Sequence, residues 1–375
     1  MDLTITADGR LQVAGPAGAP VVFHPIWLRE RLPDPAVIDP QTGQRLEEAA
    51  ETPQDLRVTA ATVDGTISFS DGCSGPLPAA WLASALGAGA APGMGAALGM
   101  GAPGPAHVHW DGTLHPADFP RADLADVQSS PAALGALLDG LDAYGFAVVR
   151  GVPIEMDGGL RLADLLGPIR VTNWGGMADV KAIPNAYDLT MTPRHLEPHS
   201  DNPYRDPVPG YILLHCLQND ADGGDSTLVD GFHAAAILAR DNPDAFHTLT
   251  TTDVTFRYHD DTAFLQHDCP LIACNAAGDV VQVRYNNRTE MVGRLPVGQL
   301  DRYYAARAAF WALIAPASPL TLRFRLQPGE LLMMDNYRLF HGRTGYSLAS
   351  GSRHMRQCYM DRDTVGSRRR LLRTA

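Results

Sequence analysis

Residues 198–207 read PHSDNPYRDP, with a histidine and an aspartate two positions apart. In an extended segment, residues i and i+2 point the same way, so the His199 imidazole and the Asp201 carboxylate converge on one point. That is half of a metal site, or only a turn, because Asp before Asn-Pro is ordinary turn chemistry. A further ligand is available downstream. In ELLMMDNYRLFHGR (330–343) a buried strand runs through Asp335-Asn336 to His341. Two histidines and one carboxylate on one side of a metal leave three positions open, which suits non-haem Fe(II). A catalytic zinc with three protein ligands is the competing reading.

The strand after His341 helps to choose. In SRHMRQCYMD, the residues Arg353, Met355, Gln357 and Tyr359 share one face. If that face lines a barrel interior, the arginine needs a partner, and its planar fork matches a carboxylate. One reading is an Arg–Asp pair that closes the sheet. With His199, Asp201 and His341 nearby, a bound dicarboxylate is the better explanation.

These residues must be positioned by a chain of 375 residues, 45% hydrophobic and 19% charged, an ordinary globular composition. No apolar run reaches the roughly 18 residues of a membrane span. The start, MDLTITADGR, has neither the basic nor the apolar part of a signal peptide. The five cysteines (73, 216, 269, 274 and 358) form no zinc spacing and no even disulfide framework. Reduced thiols in a cytoplasmic protein are expected. The net charge of -12 argues against a nucleic-acid partner. A small-molecule substrate is expected, with no nucleic acid and no membrane, and any anionic ligand must be held by specific local arginines.

Along the chain, 1–118 reads as a small β domain of short strands punctuated by Asp-Gly turns. It includes a Gly/Ala/Met-rich stretch at 86–106, too glycine-rich for a stable helix and expected as a loop. The strand-like HVHWDGTLHP follows and is placed in the same domain. A second domain, 119–375, opens with a helix start at Ser130-Pro131. Helices are expected at 231–240 and 297–314, and alternating strands elsewhere, LTLRFRL being the cleanest. The fold class is mainly β with flanking helices, a sandwich or barrel with helical support.

The combination of H-S-D, GYILLHCLQNDADGGDSTLVDGF, MMDNYRLFHGRTGY and SRHMRQCYMDRD resembles the γ-butyrobetaine hydroxylase family, whose members are Fe(II)- and 2-oxoglutarate-dependent dioxygenases related to taurine dioxygenase. The resemblance covers most of 120–375, and the N-terminal part more weakly, through HPIWLRE. It implies a double-stranded β-helix (jelly roll) as the catalytic domain. It implies that His199, Asp201 and His341 bind Fe(II), and that Arg353 grips the distal carboxylate of 2-oxoglutarate, with O2 as the other co-substrate. Ser226, after Gly-Gly-Asp, stands where the wider superfamily often places a hydroxyl for that carboxylate; a plain turn serine is the other reading. Family members are often homodimers, which is an expectation by analogy alone. One departure is clear. The family commonly holds a structural zinc through cysteines after WLR, but here RERLPDPAVIDPQTGQRL has none and Cys73 stands alone. No structural zinc is expected, and the small domain must rely on packing.

The family acts on trimethylammonium compounds, whose cation is held by aromatic faces at about 0.5–2 kcal/mol each. Trp174, Tyr187 and Tyr359 match cage positions, and Tyr204 is a fourth candidate. At the family's first cage position PIRVTNW has Arg170 instead of an aromatic. The anionic end of the substrate is expected at VRYNNRTE, with Asn286, Asn287 and Arg288. An added guanidinium suits a dianionic tetrahedral group. The reading is therefore 2-(trimethylammonio)ethylphosphonate, hydroxylated at the carbon next to phosphorus, as in one branch of the family. A surface salt bridge to Glu290 or an acidic neighbour is the plain alternative for Arg288. The rival functions are a γ-butyrobetaine or trimethyllysine hydroxylase with the same chemistry, a non-catalytic quaternary-ammonium binding protein, and, more weakly, a zinc hydrolase.

Overall fold

The segment Pro131–Tyr144 shows how local chemistry sets the frame. The Ser130 hydroxyl accepts from the Ala133 amide at 3.2 Å, and Pro131 sits where its missing N–H costs nothing. Leu134, Leu137, Leu138 and Leu141 recur at helical spacing and are buried. Gly145 ends the helix at φ 78°, and a Cβ there would meet Arg338 Cδ at 2.9 Å. The chain then turns straight into the buried strand Phe146–Arg150.

The computed structural model describes residues 3–14, 20–46, 48–62, 65–77, 105–186 and 188–374. The Gly/Ala/Met-rich stretch, apart from its last two residues, lies outside them, as does Tyr187. The described residues form two compact units, 3–77 and 105–373. HVHWDGTLHP, expected in the small domain, belongs to the larger unit and forms no strand. Its Trp110 is buried among Phe119, Phe146 and Leu322, and that hydrophobic contact decides where the segment goes.

In the smaller unit, two three-stranded antiparallel sheets enclose Leu11, Val13, Leu28, Leu32, Val58 and Ile67. The run VVFHPIWL is half strand and half helix: Pro20–Phe23 pairs in the first sheet, and Pro25 then starts the helix Pro25–Arg29. Arg29 forms an ion pair with Asp71 at 3.0 Å and donates to Cys73 Sγ at 2.7 Å.

The larger unit is built on two sheets. One has six strands in the order Arg121–Asp123, Phe146–Arg150, Leu331–Asp335, Tyr211–Asn219, Arg353–Met360 and Ala178–Lys181. The other has four, in the order Leu196–His199, Leu339–Arg343, Ser226–Asp230 and Leu322–Phe324. Ile212, Leu214 and Met355 of the first meet Leu228, Leu322 and Leu339 of the second in one core. Neighbouring strands are far apart in sequence, and every pairing is antiparallel except the first in the six-stranded sheet. This is the double-stranded β-helix. The helices Gly231–Asp241 and Val297–Ile314 form where helical spacing placed them, and pack a second core around Phe256, Tyr303, Phe310 and Phe340.

Arg338 and Asp230 make a fully buried ion pair with contacts of 3.0 and 2.7 Å. Arg338 also donates to the Ala143 and Val108 carbonyls, and Asp230 caps the following helix at the Phe232 and His233 amides. Removing one member strands a charge in the interior. Asp230→Ala is expected to destabilise the protein by about 3–5 kcal/mol, read as a lower urea midpoint with an unchanged slope.

Candidate active site

Strand pairing brings the metal-ligating residue types together. His199, the last residue of its strand, lies directly opposite His341 in the four-stranded sheet, and their rings are 4.4 Å apart. Asp201 follows by the i+2 step. Its Oδ1 stands 3.4 Å from His199 Nε2 and 3.7 Å from His341 Nε2. Ser200, between the two, turns away and exchanges hydrogen bonds with the Tyr285 backbone, which fixes the alternation. Among the described residues this is the one group of His, Cys, Asp or Glu side chains close enough to share a metal ion, with ligand atoms within 4.8 Å of one another.

The donor set fits Fe(II). His199 Nδ1 lies 2.8 Å from the Glu197 carbonyl, which can only accept, so Nδ1 carries the proton and Nε2 presents its lone pair. Burial, then the neighbouring His199 ring, pushes His341 down to about 3, so it is neutral at physiological pH. Burial alone would raise the Asp201 carboxyl, but His341, His199 and the Tyr359 hydroxyl outweigh it and hold it well below the usual carboxylate range. Two imidazoles and one carboxylate, with no fourth His, Cys, Asp or Glu ligand in the group among the described residues, leave room for exogenous ligands. The Asn336 side chain, missed in the sequence, braces the group. It accepts from the Asp201 amide at 2.8 Å and donates to the Asp201 carbonyl at 3.0 Å.

A cavity of about 670 Å³ opens at these three residues. Deep in it lies Arg353, only 5% exposed, donating from Nε to the Gly224 carbonyl at 3.0 Å. Its Nη1 is buried without a partner, and no carboxylate of the described residues lies within ion-pair distance. The Arg–Asp pair of the alternative reading is not formed among the described residues. Burial and the nearby Arg353 charge push Arg343 down to about 10. Arg343 is itself taken up by the Thr190, Thr192 and Arg194 carbonyls. Ser226, buried and lining the cavity, comes from the facing sheet. An orphaned buried guanidinium calls for an anion, and the distal carboxylate of 2-oxoglutarate fits it.

The expected substrate residues divide. Trp174, Tyr204 and Tyr359 line the cavity. Tyr258, from the strand Val254–His259, joins them, with its ring 5.1 Å from Trp174 and 5.3 Å from Tyr204. Strand alternation puts Tyr258 on a face with Val254 and Phe256, but nothing local says that this face meets Trp174. Arg170 is spent on an ion pair with Asp361 at 2.9 Å. Asn286 is buried, lines the cavity and donates to the Ser200 carbonyl at 3.0 Å, whereas Asn287 is exposed and outside the lining. Arg288 lines the cavity with Asp188 at 3.6 Å. Of the partners that the salt-bridge alternative named, Glu290 is taken by Arg307 and Tyr303, and Asp188 is the acidic neighbour.

The comparisons with known proteins agree with this geometry. The family described as "Taurine catabolism dioxygenase TauD, TfdA family" matches residues 111–359. A γ-butyrobetaine dioxygenase of Pseudomonas sp. (strain AK-1) is 32% identical, covering 96% of this chain and 91% of that one. The Homo sapiens γ-butyrobetaine dioxygenase is 31% identical over 72% of this chain and 70% of its own. The Gallus gallus mitochondrial trimethyllysine dioxygenase is 26% identical over 93% and 83%. The chain belongs to the TauD/TfdA family of Fe(II)- and 2-oxoglutarate-dependent dioxygenases. No described helix is long and apolar enough to cross a membrane.

Because Arg353 is buried without a counter-ion, Arg353→Met should leave the stability of the free protein unchanged or raise it, while weakening 2-oxoglutarate binding by about 30-fold or more. Thermal melting and calorimetric titration of 2-oxoglutarate onto the Mn(II)-loaded protein read the two effects separately.

Proposed function

We propose that the protein hydroxylates a small molecule with a trimethylammonium group at one end and an anion at the other. The observation that carries this is the aromatic wall of Trp174, Tyr204, Tyr258 and Tyr359 beside the His199–Asp201–His341 group in one cavity. A trimethylammonium ion cannot donate hydrogen bonds, so stacked and tilted ring faces are the recognition available to it. The relatives named for γ-butyrobetaine and trimethyllysine support the carboxylate form, with γ-butyrobetaine the best-backed substrate.

In this reading Fe(II) is held by His199, Asp201 and His341, and 2-oxoglutarate by Arg353 and Ser226. Together with O2 they supply the oxidising chemistry. The chain's own work is positional. The rings hold the cation, Asn286 holds the anion, and a substrate fixed at both ends presents one carbon to the metal. The five unpaired cysteines support a cytoplasmic location.

Arg288 favours a second reading. Its guanidinium faces the cavity, and its contact with Asp188 at 3.6 Å is longer than a charge-assisted hydrogen bond, so donors remain for a ligand. A dianionic phosphonate, 2-(trimethylammonio)ethylphosphonate, would use them. Succinate release with each compound, checked for a hydroxylated product, separates the readings. If γ-butyrobetaine is the substrate, it is turned over and Arg288→Ala changes little. If the phosphonate is, it alone is turned over and Arg288→Ala lowers kcat/KM by about 30-fold or more. In either case Trp174→Leu is expected to raise the substrate KM by about 2- to 30-fold and leave that for 2-oxoglutarate unchanged. Tight substrate binding with no succinate would overturn the enzymatic reading in favour of a binding protein.

A further inference from the structure

The two oxygens of Asp201 are used differently. Oδ1 faces His199 and His341 at 3.4 and 3.7 Å. Oδ2 points the other way and accepts two hydrogen bonds, from the Tyr359 hydroxyl at 2.7 Å and from Gln357 Nε2 at 2.9 Å. Gln357 Nε2 also reaches the Tyr359 oxygen at 2.7 Å, so the three side chains form a closed triangle. A carboxylate only accepts, which assigns the amide nitrogen of Gln357 to this side. Both donors are at least nine-tenths buried and sit two apart on the strand Arg353–Met360, so the sheet itself aims them at one atom. The Asn336 bonds hold the Asp201 backbone from which the carboxylate projects.

We propose that Gln357 and Tyr359 are positioning residues that restrict Asp201 to metal ligation through a single oxygen. An oxygen already accepting two hydrogen bonds in a buried site gives them up only at a cost, so chelation through both oxygens is disfavoured. One more metal position is thereby kept for ligands from solution. Tyr359 then has two parts: its ring lines the substrate cavity, and its hydroxyl orients a metal ligand. The inference rests on the iron-site reading above.

The test uses the full chain with Mn(II) as the probe, in wild type, Tyr359→Phe, Gln357→Leu and the double variant. Tyr359→Phe keeps the ring and removes only the hydroxyl. Each single variant is expected to bind Mn(II) about 10-fold more weakly or worse, read from the free-ion EPR signal. In the double variant Asp201 is free to chelate, so the number of exchangeable waters on Mn(II), counted by EPR line broadening in isotope-enriched water, falls by one. An unchanged water count in the double variant overturns the proposal, as does Mn(II) affinity within about twofold of wild type in both single variants. Wild-type protein that binds no Mn(II) would overturn the iron-site reading itself, and with it this inference.

Discussion

The pairing of His199 with His341 across two antiparallel strands is the constraint on which the rest depends. Side chains alternate along a strand, so a slip of one residue would turn His341 out of the cavity. Register is secured from several sides. Leu228 pairs with His341 from the next strand, Ser200 ties the other end to Tyr285, and Asn336 holds the Asp201 backbone. A metal site of three ligands is in this sense the output of a sheet. The β-helix topology brings Asp201 and His341, 140 positions apart in the chain, to within 3.7 Å of one another.

Parts of this were legible in the sequence because they obey short periods. The spacing of His199 and Asp201 is the period of a strand, and so is the common face of Arg353, Gln357 and Tyr359. The helix at Pro131–Tyr144 announces itself through Ser130, Pro131 and Gly145. What stayed hidden depends on where one element meets another. Asn336 sits in a strand-to-strand turn, and its value lies in meeting Asp201, which no local pattern records. Tyr258 has the alternation of any half-buried strand, and becomes a cavity wall only because its hairpin folds against Trp174. Which of Asn286 and Asn287 faces inward depends on where the strand ends, and of the two only Asn286 is buried. The segment around Trp110 looked like a strand by composition, yet its tryptophan is drawn into the larger core.

The cavity also shows how a protein of net charge -12 can gather anions. Arg353 is left without a counter-ion in the interior, a state that costs stability and makes sense only when a ligand relieves it. Elsewhere the fold spends its acids freely. Asp225 serves both Arg323 and Arg325, and Asp139 serves Arg369 and Arg373. Leaving Arg353 unpaired is thus a local arrangement, made by the placement of Gly224 and Ser226 rather than by a shortage of carboxylates.

Arg343 has a mechanical consequence. It stands two residues after His341 and clasps the carbonyls of Thr190, Thr192 and Arg194, while Asp188, Thr190 and Met191 from the same stretch form part of the cavity wall. That stretch is therefore riveted to the strand that carries a metal ligand. It cannot swing aside as a door without dragging on His341.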